Sequence, residues 1–141
     1  MLDLSSFQDA ITQLETSLEY VHSPLAQNDS RLAQQLQAAS IQAFEFTYEL
    51  SWKLLKRHLE MTEPNPNAID ELSFQNLIRT GNEKNLLLSD WETWRNFRTA
   101  RGTTSHTYNS VKATEVSRII PQFLKEAQFL LKKLSSHHHH A

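Results

Sequence analysis

A chain of 141 residues with only two glycines and four prolines has few places to turn, and between them its apolar residues recur every three or four positions, not every second one. That spacing builds helices, so the chain reads as all-α. In the first segment Leu4, Phe7, Ile11, Leu14, Leu18 and Val21 form one continuous stripe that ends before Pro24, the pattern of a helix that packs by a single face. A second, longer helix is predicted to start after Asn28-Asp29-Ser30, which are good N-caps, and to run towards Met61, stopping before Glu63-Pro64-Asn65-Pro66-Asn67. Its interior is apolar on two sides. Ile41, Phe44, Tyr48, Trp52, Leu55 and Leu59 make one stripe, and Ala43, Phe46, Leu50 and Leu54 a second, rotated around the axis. Such a helix needs neighbours on both sides, so it lies either at the centre of a bundle or between subunits.

Past the proline turn, Asp70 to Thr80 reads as a short helix closed by Gly81 as a left-handed cap, and Asn82 to Leu88 as loop. Ser89 with Glu92 three residues on matches a capping box and opens a helix through Trp91, Trp94 and Phe97. That helix carries Arg95, Arg98 and Arg101 three residues apart, a local positive strip whose plainer alternative is a solvated basic face. In the last helix Val116, Ile120, Phe123, Ala127, Leu130 and Leu134 keep regular spacing, and Pro121 is expected to kink it or to mark its true start. The expectation is an up-and-down four-helix bundle with an additional short helix, formed as one domain over residues 1–135.

A chain of this length buries roughly two-thirds of the surface it exposes when unfolded, enough for one modest core. The formal charge is −2, so any affinity for nucleic acid has to come from a local patch, which weighs against the wrapping of duplex DNA. With no cysteine there are no disulfides and no thiolate metal sites; no metal or cofactor is expected. No apolar run reaches membrane-spanning length, and Met1-Leu2-Asp3-Leu4 lacks the basic and apolar regions of a signal peptide. A cytoplasmic protein is the default expectation. The tail from Ser136 to Ala141, with its four consecutive histidines, reads as the remnant of a purification tag, with a natural histidine tract as the alternative. His22 and His58 have no partner pattern and are expected at the surface.

The run Arg101-Gly102-Thr103-Thr104-Ser105-His106-Thr107-Tyr108 carries the chemistry. Arginine is a permanently charged fork suited to phosphate, and histidine exchanges protons near neutrality. On an unbroken helix residues five apart diverge by about 140°, so Arg101 and His106 can act together only if the helix breaks between them. Gly102, Thr103, Thr104 and Ser105 are all weaker helix formers than alanine, which favours that break. A turn there lets His106 fold back towards Arg101, with Ser105 or Asn109 capping the helix that follows and its first NH groups facing an anion. Arg95, Arg98, Arg101, Thr104 and Ser105 are the candidate phosphate or nucleotide contacts. The alternative is an arginine that ends one helix, a polar turn, and a histidine and tyrosine that merely pack. Glu45, Glu49 and Lys53 share one helical face, read as an ordinary solvated one.

The stretch from Ile41 to Lys56 and the stretch from Arg101 to Tyr108 together resemble the HEPN proteins encoded beside minimal nucleotidyltransferases, often called nucleotidyltransferase substrate-binding proteins. The likeness covers Leu4 to Leu134, and its most specific part is Arg-x-x-x-x-His-x-Tyr. It implies a helical bundle that forms a homodimer with the motifs near the interface, and a cognate nucleotidyltransferase as partner. It also implies that Arg101 and His106 are the residues of a metal-independent ribonuclease toxin, and that the partner silences it by transferring AMP to Tyr108. A non-catalytic nucleotide-binding subunit is the second function the resemblance allows. Many relatives carry Asn or Asp directly after the arginine, where this chain has Gly102.

Overall fold

A computed structural model of the chain, describing residues 2–138, places seven α-helices in order: α1 (Ser5–Val21), α2 (Pro24–Asn28), α3 (Ser30–Thr62), α4 (Pro66–Asp70), α5 (Phe74–Glu83), α6 (Trp91–Thr103) and α7 (Ser110–His137), with a 3-10 turn at Thr104–His106 between the last two. Helices α1, α3, α6 and α7 form the bundle, and α3 touches α1, α2, α4, α6 and α7. The all-α expectation holds. The sequence pattern predicts neither short helix, α2 nor α4, because Pro24 and Pro66 read as breaks in the chain. Each instead occupies a first helical position, where a missing N–H costs nothing and the fixed φ suits the helix.

The caps explain most boundaries. Asp29 accepts from the amides of Arg31 and Leu32 to start α3, and Asn109 accepts from Val111 and Lys112 to start α7, both as expected. The capping-box expectation at Ser89 is one residue early. Asp90 is the N-cap of α6 and accepts from Thr93 N. Gly81 is not a cap at all: it lies inside α5, and Asn85 four residues later takes the left-handed conformation, φ 60°. Leu86 N then donates to Gly81 O at 2.9 Å, the closing bond of a Schellman-type end. Gly81 is small for another reason, since a Cβ there would lie 2.9 Å from Leu87 Cδ1 and 3.1 Å from Leu55 Cδ2. Helix α7 runs continuously through Pro121 and does not start there.

The core is aromatic at its centre. Phe123 of α7 meets Phe44 of α3 and Phe97 of α6 edge-on, each at 5.2 Å between ring centroids, and Trp94 stacks its edge on Phe97 at 5.3 Å. Around this knot Phe7, Leu14, Leu55, Ile120, Leu130 and Leu134 are buried, so the first stripe of α3 faces the core as its spacing implies. In the second stripe Ala43, Leu50 and Leu54 are half-buried against the core, while Phe46 is 56% exposed. Thr47 links the two longest-paired helices, donating to Ala43 O at 2.7 Å with Ala10 O of α1 at 3.4 Å.

Two buried polar groups depart from the sequence pattern. Glu126 of α7 is buried and its Oε2 accepts from Leu88 N at 2.8 Å and Ser89 N at 3.4 Å, fixing the approach to α6. His58 is not on the surface; it is buried with its Nδ1 2.7 Å from His138 Nε2, because α7 extends into the histidine tail and lays it beside α3. His22 is exposed. The tag reading of the tail falls partly on residues 139–141, which lie outside the described residues. Among the described residues no helix is long and apolar enough to cross a membrane.

Candidate functional site

The motif sits where α6 ends. Helix α6 continues through Gly102 to Thr103, then tightens into the 3-10 turn Thr104–His106 before Asn109 opens α7. The expected break is therefore present, but Gly102 does not make it: its φ is not positive and nothing lies within 4 Å of where its Cβ would be. The helix tightens one residue after Thr103, at Thr104. Thr104 and Thr107 fold onto the local backbone, donating to the carbonyls of Arg101 and Thr104, the competition with helical bonds that disfavours such residues in a helix interior.

Arg101 is anchored on α3. Its Nε donates to Glu49 Oε1 at 3.0 Å, its Nη2 lies 3.7 Å from Glu45 Oε1, and its Nη1 donates to Thr104 Oγ1 at 3.1 Å. Thr104 Oγ1 in turn lies 2.8 Å from Glu45 Oε2, and Trp52 Nε1 donates to the other oxygen of Glu49 at 3.2 Å. Arg101 and Glu49 keep about a third of their side-chain surface in water, 32% each, so the pair is screened and contributes on the order of 0–1 kcal/mol to stability. Its value is geometric. The network fixes the guanidinium plane between α3 and the turn.

The structure brings only part of the sequence-predicted set together. Arg101 and Thr104 share the network, whereas Ser105, His106 and Tyr108 are exposed beyond it. The rings of His106 and Tyr108 lie 6.4 Å apart, and Tyr108 is 88% exposed. Within one chain His106 makes no hydrogen bond to Arg101. The continuous positive strip is corrected as well. Each step of three residues turns about 60° around a helix, so Arg95 and Arg101 diverge by about 120°. Arg95 is paired with Glu92 at 2.8 Å, Arg101 is paired with two carboxylates, and Arg98 alone of the three has no carboxylate partner among the described residues.

Glu45 and Glu49, read from sequence as a solvated face, are part of the site. One signal was available: they fall between the two apolar stripes of α3, a position that a helix with neighbours on both sides carries inward. Their partner on α6 had no signal, because helix pairing is not written in spacing. Among the described residues no cluster of His, Cys, Asp and Glu could hold a metal ion.

Comparison with known proteins gives the family and the fold. Residues 2–136 match the family described as nucleotidyltransferase substrate binding protein like. The chain is 40% identical over 97 residues to a protein of Haemophilus influenzae named probable ribonuclease HepT, a match covering 69% of this chain and 66%, just under two thirds, of that relative's length. It also superposes on a solved Haemophilus influenzae structure, described as revealing the fold of a substrate binding domain of a nucleotidyltransferase. There the TM-score is 0.88 and the identity 34%, over 94% of this chain and 98% of that one. With a match of that extent, the chain belongs to the nucleotidyltransferase substrate binding protein-like family.

Proposed function

We propose that this protein, folded as one domain over residues 1–135, is a HEPN-type partner of a minimal nucleotidyltransferase and acts as a metal-independent ribonuclease toxin through Arg101 and His106, silenced when the partner transfers AMP to Tyr108. The observation that carries this reading is the pairing of an anchored arginine with an exposed His106–Tyr108 edge in the next turn. A held guanidinium can stabilise charge on a phosphorane-like transition state without reorganising. In cleavage the ribose 2′-oxygen attacks phosphorus, the bond from phosphorus to the 5′-oxygen breaks, and a 2′,3′-cyclic phosphate forms. One imidazole takes the 2′-hydroxyl proton and another protonates the departing 5′-oxygen.

That scheme asks for two imidazoles, and each chain offers one His106. A homodimer supplies both. Its interface uses the outer stripe of α3, where exposed Phe46 borders a groove shared with Thr12, Thr16, Ala39 and Ala43, and Glu45 and Glu49 join this groove to the Arg101 network. Arg95, Arg98 and Ser105 contribute phosphate contacts around the shared site. Tyr108 is accessible in the folded chain, so its hydroxyl can attack the α-phosphorus of ATP held by the partner, releasing pyrophosphate. The added phosphate then competes with RNA for Arg101 and repels the incoming backbone.

The test is incubation of purified protein with single-stranded RNA in EDTA, beside His106→Ala and Arg101→Ala. Cleavage with cyclic-phosphate ends, reduced at least about a hundredfold in each variant, supports the reading. Equal residual activity in wild type and His106→Ala refutes it. With the cognate nucleotidyltransferase, Mg²⁺ and ATP, intact mass should rise by AMP on wild type and not on Tyr108→Phe, and cleavage should fall in step. A non-catalytic nucleotide-binding subunit is the second reading, favoured by the cleft beside Arg98 described next.

A further inference from the structure

Arg101 has a second neighbourhood. With Arg98 and Gly102 it lines a cleft of about 460 Å³ between α3, α5 and α6, whose other walls include Tyr48, Trp52 and Phe74. The size falls within the roughly 300–1,000 Å³ of clefts that hold small molecules. Trp52 and Phe74 pack edge-on at 6.2 Å yet are only half-buried, although both sit against the core. The Arg98 guanidinium lies 5.1 Å over the Phe74 ring and, unlike Lys56 at the same cleft, which is bound to Asp70 at 2.8 Å, it has no carboxylate partner among the described residues. Tyr48 is 97% removed from solvent, at 3% exposure, and its hydroxyl makes no hydrogen bond among the described residues. Arg98 and Arg101 line the same cleft as Tyr48; burial pushes that phenol well above the usual tyrosine range, and the two cations pull it part of the way back.

A half-open aromatic wall, an unpaired guanidinium stacked on it and a tyrosine hydroxyl with no protein partner among the described residues are the parts that hold an unpaired base. Bases splayed from single strands stack on aromatic rings and on guanidinium planes, and their edges take hydrogen bonds. We propose that this cleft is a nucleotide subsite that takes one unstacked nucleotide of single-stranded RNA, its base against Trp52 and Phe74 and its phosphate on Arg98 and Arg101. The Tyr48 hydroxyl bonds the base edge. The assignment rests on the ribonuclease reading only in making RNA the natural source of that nucleotide; the cleft itself is independent of cleavage. It explains why Arg101 is shared between the turn and the cleft, since the same guanidinium then touches the phosphate joining the held nucleotide to its neighbour.

Calorimetry on the full chain tests it with three probes: inorganic phosphate, AMP and a uridine hexanucleotide. AMP and the hexanucleotide should bind and compete with each other, and phosphate alone should bind at least tenfold more weakly. Trp52→Leu and Arg98→Gln should each weaken both nucleotides about tenfold, as expected for loss of a stack, and Tyr48→Phe, which keeps the ring, a few-fold. Arg98 is exposed, so Arg98→Gln folds even if Trp52→Leu does not. In the cleavage assay the same changes should raise KM about tenfold with a smaller effect on kcat, whereas His106→Ala acts on kcat. Phosphate binding as tightly as AMP, or affinities unmoved by Arg98→Gln and Tyr48→Phe, overturns the proposal. AMP that binds without displacement by the hexanucleotide overturns the RNA assignment. Nucleotide binding without cleavage sinks the ribonuclease reading and leaves the cleft; cleavage with unaltered KM in the variants does the reverse.

Discussion

The two glycines should respond to alanine with opposite signs. At Gly102 the backbone has an ordinary negative φ, and no atom lies within 4 Å of the position a Cβ would take. Alanine there removes backbone freedom from the unfolded chain and improves helix propensity, a gain of about 0.5 kcal/mol so near the helix end. At Gly81 the same propensity gain, about 1 kcal/mol in a helix interior, meets a Cβ placed 2.9 Å from Leu87 Cδ1, with Leu87 Cγ and Leu55 Cδ2 at 3.1 Å. Leu55 and Leu87 are 0% and 5% exposed, so neither can swing into solvent. Overpacking of this kind costs about 1–3 kcal/mol. The net loss is then about 1 kcal/mol, and the variants differ by about 1.5 kcal/mol. Urea titration with a shared m-value should show it directly, and in thermal melts the gap should be roughly 5 °C at roughly 3–5 °C per kcal/mol for a chain of this size. If both substitutions stabilise, the close approach of α5 to Leu87 is wrong; if Gly102→Ala destabilises, Gly102 is not helical as described.

Acidification should unfold the end of the bundle that holds His58. Burial first, then the neighbouring charges of His137 and His138, push its pKa down from 6.5 to about 4, so the folded state binds this proton less readily than the unfolded one. That contribution to stability is fully present above pH 6.5 and lost as pH falls towards 4. Melting temperature should drop more between pH 7 and pH 5 in wild type than in His58→Leu; identical slopes would remove His58 as the cause. Glu126→Ala should cost about 2–3 kcal/mol by leaving the Leu88 and Ser89 amides without their acceptor, with Glu126→Gln recovering most of it in chemical denaturation. A loss below about 0.5 kcal/mol for the alanine variant would mean those amides are satisfied by water.

How much the sequence disclosed depended on whether the deciding force was local. The buried stripes of α1, α3 and α7 follow from helical period alone, and the caps at Asp29 and Asn109 from one side chain and the next few amides. Where two local signals competed, the reading slipped. Ser89 and Asp90 are both good caps, and Ser89 N is already engaged by Glu126, thirty-seven residues away in sequence. Gly81 looked like a terminator, but the constraint on it is Leu55 and Leu87 pressing from outside the helix. The site divides the same way. The candidates Arg101, Thr104, His106 and Tyr108 stand out in the sequence because they sit in one short run. Glu45, Glu49 and the cleft beside Arg98 arise from α3 lying against α6, a pairing that spacing does not record.

Helix α3 places neighbouring residues on opposite duties. Phe44 and Tyr48 are locked in the aromatic core, while Glu45 and Glu49, each one peptide further on, grip the arginine of the motif. The helix therefore works as a torsion bar: its core face sets the angle at which its carboxylates reach out. With side chains about 6 Å from the axis, a rotation of roughly 20° moves a carboxylate by roughly 2 Å, enough to release a contact of 3.0 Å. A conservative change at Phe44 or Phe123 that leaves the fold intact can thus mis-aim Arg101 from a distance. Tolerance to substitution in this core is set by aim as well as by stability, so functional variation should be scarcer there than melting temperatures alone would suggest.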